Sequence, residues 1–82
     1  MERLEVAERI IIIVSDQLDV LKENIDESSR MVEDLGADSL DLTELTMKIE
    51  EEFDIAVPDE VAATLKTVGQ TIDYVLALVK NE

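Results

Sequence analysis

Between residues 4 and 18 the apolar positions Leu4, Ala7, Ile11, Val14 and Leu18 recur at steps of three and four, with Glu2, Glu5, Arg9 and Asp16 charged before and between them. That period draws one apolar stripe along a helix and predicts a first amphipathic helix over Leu4 to Leu18. Ile10, Ile12 and Ile13 widen its apolar face, and the run of β-branched residues is locally strand-like. From Asp19 to Ala37 the period is lost, Asn24, Asp26, Ser28 and Ser29 gather, and Gly36 admits a positive φ, which predicts one long loop. A loop of that length in a compact domain is functional or anchored, and Leu21, Ile25, Met31, Val32 and Leu35 are the available anchors.

Periodicity returns at the Asp38–Ser39 boundary. Asp38 is a good N-cap, Asp41 follows three residues on, and Leu42, Leu45, Ile49 and Phe53 form an inner stripe that ends before Pro58. Pro58-Asp59-Glu60 predicts the opening of a short third helix carrying Val61, Ala62 and Leu65, because proline is tolerated at a helix start and acids favour the first turn. A last helix begins after Thr67, where Thr67 and Gln70 have capping-box spacing. Its face is Val68, Ile72, Val75, Leu76 and Val79, with Lys80 suited to the negative end of its dipole. Short helices broken by loops do not form a coiled coil, and no internal repeat is evident.

Composition sharpens this outline. At 82 residues the chain has room for one domain, residues 1–82, around one small core. Phe53 and Tyr74 are its aromatic residues, so the core is built from aliphatic side chains and Met, which suits packed helices and predicts an all-α fold. Lys and Arg number 7 against 21 Asp and Glu, a formal charge of -14. Such a chain is repelled by nucleic-acid backbones and anionic membranes and is suited to basic protein surfaces. The longest apolar run, Ile10 to Val14, is far short of the ~20 residues of a spanning helix and follows acidic residues, so a cytoplasmic location is the expectation. Without Cys or His the chain has no thiolate, imidazole base or soft metal ligand, and any chemistry it supports is supplied from outside.

The most informative stretch runs from Asp34 to Asp41. It sets a hydroxyl, Ser39, at the first position of a predicted helix just after a glycine-containing loop. Free amides and the positive dipole end at a helix N-terminus suit a phosphate ester. Asp38 and Asp41, however, oppose spontaneous anion binding. A covalent phosphate attached by another protein that recognises the acids reconciles the two.

Leu35-Gly36-Ala37-Asp38-Ser39-Leu40-Asp41 resembles the acyl carrier protein signature around the modified serine. Glu50-Glu51-Glu52-Phe53-Asp54-Ile55, Pro58-Asp59-Glu60 and Thr71-Ile72-Asp73-Tyr74 also resemble the bacterial family of type II fatty-acid synthesis in order and spacing. The resemblance implies a four-helix bundle with three longer helices, a short third helix and a long first loop. It implies that a holo-carrier synthase, a phosphopantetheinyl transferase, moves 4′-phosphopantetheine from coenzyme A to Ser39. Acyl chains then ride on the arm's thiol to fatty-acid-synthesis enzymes, and the carrier itself catalyses nothing and works as a monomer. Basic partner patches would meet Asp38, Leu40, Asp41, Glu44, Glu50, Glu51 and Asp59, while Met31, Leu45, Ile49, Val57, Ala62 and Leu65 would shelter the cargo.

Two departures from the family pattern bear on the pathway. Thr43 and Thr46 stand where many fatty-acid carriers have apolar residues, and Lys48 adds a positive charge to the acidic helix. Polyketide, peptide and lipid-modification carriers share the serine motif. Other readings are an ordinary helix-start serine, or an acidic module that binds basic partners unmodified. A serine hydrolase would need a His base or a Gly-x-Ser-x-Gly elbow. The spacing of Asp34, Asp38, Asp41 and Glu44 does not fit an EF-hand loop.

Overall fold

The computed structural model describes residues 1–79. In chain order it contains α1 (Arg3–Leu18), a one-turn 3-10 helix at Lys22–Asn24, α2 (Ser39–Phe53), α3 (Asp59–Ala62) and α4 (Val68–Val79). Three long helices with a short third match the expected acyl-carrier-like bundle, although Leu65 lies beyond α3 rather than on it. Lys80, expected at the end of α4, lies outside the described residues. Among the described residues no helix is long and apolar enough to cross a membrane.

The buried stripe of α1 is rotated from the expected one. Val6, Ile10 and Val14 are fully buried and Ala7 nearly so, whereas Leu4 is 71% exposed and Ile11 only half-buried. Five consecutive apolar residues from Ile10 to Val14 are compatible with more than one helical phase, and packing on α4 and α2 selects among them. Opposite lie Val68, Ile72, Val75 and Val79 of α4, and Leu45, Ile49 and Phe53 of α2. Thr71 is buried on α4 as well.

α1 and α2 terminate alike. Asp19 and Asp54 both adopt the left-handed conformation at φ 54°. The next amides, of Val20 and Ile55, reach back to the carbonyls of Ser15 and Glu50, each at 3.2 Å. This is the six-to-one closure of a Schellman motif, with aspartate in the place glycine usually holds.

The long loop is pinned by its backbone as much as by side chains. Ile25, Met31 and Ala37 are buried and Leu35 is half-buried, but Leu21 and Val32 are 64% and 49% exposed and do not anchor it. Leu21 caps the 3-10 turn, and Val32 sits in the turn that ends at Gly36, conformations that leave both side chains in solvent. Met31 N–H donates to Lys66 O at 3.0 Å, Val68 N–H to Ser29 O at 3.1 Å and Gly69 N–H to Glu27 O at 2.8 Å, around an isolated bridge between Arg30 and Thr67. The first amides of α4 are thereby satisfied by the loop, and the expected Thr67–Gln70 box completes the cap: Gln70 N–H donates to Thr67 Oγ1 at 3.1 Å and Thr67 N–H to Gln70 Oε1 at 3.0 Å. Gly69 permits the approach, because a Cβ there would stand 2.9 Å from Glu27 O. Arg3 ties the same loop to α1 and α4 by pairing with Glu27 and, at 2.6 Å, with Asp73.

Candidate functional site

The turn that delivers the chain to α2 is built around Asp34. Its carboxylate accepts from Arg30 N–H at 2.8 Å and from the Arg30 guanidinium at 3.0 and 3.1 Å, contacts that hold the Asp34 carboxyl below its ordinary pKa. Leu35 N–H reaches Arg30 O at 3.1 Å and Gly36 N–H reaches Val32 O at 3.0 Å. Gly36 then turns at φ 76°, a left-handed angle natural for glycine, and Ala37 is buried with its N–H on Met31 O at 2.9 Å. The chain thus leaves the core at a fixed point, immediately before α2.

At that point the expected capping box is present. Asp41 N–H donates to Asp38 Oδ1 at 2.8 Å, and Asp38 N–H donates to Asp41 Oδ2 at 3.1 Å. The bond from the Asp38 amide, and after it one from the Gln17 side chain, holds the Asp41 carboxyl below its ordinary pKa. Ser39 is the first residue of the helix; it is exposed, and its hydroxyl makes no hydrogen bond among the described residues. Cap and hydroxyl thus have separate roles, since Asp38 closes the helix and Ser39 is left available.

The acidic side chains are distributed unevenly. Asp38, Leu40, Glu51 and Asp59 are exposed, Leu40 at 65%. Asp41 and Glu44 are half-buried beneath Gln17 of α1, whose amide donates to Glu44 at 2.9 Å and to Asp41 at 3.3 Å. Glu50 turns inward, accepting Val57 N–H at 2.7 Å and tying α2 to the connection before α3. Glu51 shares a shallow hollow with Lys48, Glu52 and Ile13. Nothing in the local sequence announced Gln17, because its partners lie 24 and 27 residues away.

A cavity of about 350 Å³ separates α2 from α3 and α4. Met31, Leu45, Ile49, Val57, Ala62 and Leu65 line it, together with Thr43, Thr46, Thr71 and Tyr74. Thr43 and Thr46, the departures from the family pattern, thus stand on this wall, and the hydroxyls of Thr71 and Tyr74 face them from α4. Their positions at 43, 46, 71 and 74 are the usable signal, because each pair lies one helical turn apart on α2 or α4.

Exposed hydroxyl, capped helix start, acidic face and adjoining cavity are all formed by segments between α1 and α4. A family model described as the phosphopantetheine attachment site matches residues 8–75, from within α1 to within α4. The chain therefore belongs to the phosphopantetheine attachment family, carrier domains that bear covalently attached 4′-phosphopantetheine and are modified by other enzymes.

Proposed function

We propose that this chain is a single carrier domain over residues 1–82, acting as a cytoplasmic monomer, that bears 4′-phosphopantetheine on Ser39 and carries acyl chains for fatty-acid synthesis without catalysing a reaction itself. The observation that carries the reading is the exposed Ser39 hydroxyl, free of hydrogen bonds among the described residues and at the head of α2. It fits the group: an oxygen here is accessible to a transferase, and the start of a helix favours the phosphodiester that forms. In attachment the Ser39 oxygen bonds to the phosphorus bearing pantetheine as the phosphoanhydride of coenzyme A breaks. Adenosine 3′,5′-bisphosphate leaves, and the hydroxyl proton passes to the transferase. Once bound, the group supplies the thiol that a cysteine-free chain lacks and holds an acyl cargo as a thioester.

Asp38, Leu40, Asp41, Glu44, Glu51 and Asp59 are the proposed surface for basic patches on the transferase and on synthesis enzymes. Leu40 is an apolar contact among the acids, and Glu50 adds charge while its carboxylate holds Val57. Complementary charge of this kind raises encounter rates and permits quick release, as a shuttle requires. The test is intact mass after incubation with coenzyme A, magnesium and a phosphopantetheinyl transferase. One phosphopantetheine adduct is expected on the protein and none on Ser39→Ala. An unmodified protein, or an adduct retained by the variant, overturns the assignment.

A further inference from the structure

The wall of the cavity combines aliphatic side chains such as Leu45 and Ile49 with hydroxyls from two helices. Each of those hydroxyls donates its proton to a backbone carbonyl. Thr43 bonds Ser39 O at 3.1 Å, Thr46 bonds Leu42 O at 2.9 Å, Thr71 bonds Thr67 O at 3.1 Å and Tyr74 bonds Ala56 O at 3.3 Å. Glu50 is an acceptor as well, already holding Val57 N–H. The polar side chains around the cavity therefore offer lone pairs to a guest, not protons. A guest O–H can donate to a threonine Oγ1 that keeps its own bond. A guest ketone gains a bond only if a threonine gives up its backbone partner, and a plain alkyl chain removes water from the lone pairs without replacing it.

We infer that the cargo sheltered by this carrier is a hydroxylated acyl chain in preference to its oxo or unsubstituted counterpart, with Thr46 as the selecting residue. Thr46 is half-buried on the α2 wall among the aliphatic side chains of Leu42, Leu45 and Ile49, and Thr71, almost fully buried, faces the same space from α4. The inference rests on the carrier reading above and adds to it the chemical class of the cargo.

The test uses the full chain, loaded by a phosphopantetheinyl transferase from the coenzyme A thioesters of octanoate, β-hydroxyoctanoate and β-oxooctanoate. Melting temperature and the amide shifts of Leu45 and Ala62 are the readouts. The β-hydroxy form is expected to melt about 4–8 °C above the β-oxo form, the shift of one added hydrogen bond in a domain of this size. Thr46→Val, which keeps shape and β-branching, is expected to abolish that difference, and Thr46→Ser to retain it. A β-oxo or octanoyl form that melts as high as the β-hydroxy form, or an order unchanged in Thr46→Val, overturns the inference. Loading that shifts neither amide with any chain also overturns it while leaving the carrier reading intact. Failure to load at Ser39 overturns both.

Discussion

Replacing Gly69 by alanine sets two effects of similar size against each other, and the structure decides the sign. Gly69 lies in the first turn of α4, and on helix propensity alone alanine would stabilise the protein by up to about 1 kcal/mol. Yet the added Cβ would meet Glu27 O at 2.9 Å and Glu27 Cβ at 3.3 Å, and the first is backbone that cannot swing aside. Relieving the contact pushes the loop from the helix and lengthens the 2.8 Å bond from Gly69 N–H to Glu27 O. Overpacking costs about 1–3 kcal/mol and a lost hydrogen bond about 0.5–1.5 kcal/mol. After a propensity gain of about 1 kcal/mol the net is a loss of about 0.5–3.5 kcal/mol, which at about 4–8 °C per kcal/mol is a fall of at least about 2 °C in melting temperature. Urea unfolding followed by circular dichroism measures the loss, and hydrogen exchange at Val68 and Gly69 is expected to accelerate with it. Gly36→Ala is the control, because Gly36 has open space around its Cβ and φ 76°, so its cost is the left-handed conformation alone, about 1 kcal/mol. A Gly69→Ala protein that is more stable than the parent would refute the steric argument.

Three further outcomes follow from particular contacts. Asp54→Gly is expected to gain about 0.5–1 kcal/mol in urea unfolding, because glycine accepts the left-handed closure of α2 and a negative charge leaves the negative end of the helix dipole; a loss would mean that the aspartate contributes more than its conformation costs. Hydrogen bonds from the Ser28 hydroxyl, the Arg30 side chain and the Asp38 amide lead the causes that hold Asp26, Asp34 and Asp41 respectively below the usual carboxylate value. Their stabilisation is therefore complete above the unfolded value of about 3.9 and is lost as pH falls through the lower folded values. Carboxyl-carbon NMR titration reads each midpoint, and Gln17→Leu is expected to raise that of Asp41 while leaving that of Asp34 in place. Reversing both Glu44 and Glu51 to Lys is expected to slow phosphopantetheine transfer more at low salt than at high, since screening erases a charge effect; equal rates at both would remove these residues from the docking surface.

Short-range signals in the sequence translated directly into structure. Asp38 with Asp41, and Thr67 with Gln70, are separated by three residues, a spacing whose geometry is local and needs no knowledge of the rest of the chain. The stripe of α2 was legible for the same reason, because Leu45, Ile49 and Phe53 recur at steps of four with mostly polar residues between them, Met47 being the exception. α1 was harder: its isoleucine run supplies an apolar residue at every phase, and the phase is set by neighbours far away in sequence. The pairing of residues 27–31 with 66–69 was not legible, since its bonds are between backbone groups and leave no side-chain pattern. Ser39 could be singled out from its surroundings, whereas Gln17 became visible only once α1 lay beside α2.

α1 packs against both α4 and α2, while the cavity keeps the latter two apart. The molecule therefore has a seam. Moving α3, which carries no buried residue, away from α2 leaves the packing of α1 on α2 and α4 in place, whereas separating α1 from either of those helices exposes core side chains that are now dry. Opening along this seam is therefore a local displacement of α3 that keeps the α1–α2 and α1–α4 packing, the route by which the proposed cargo would enter and leave without the fold being lost.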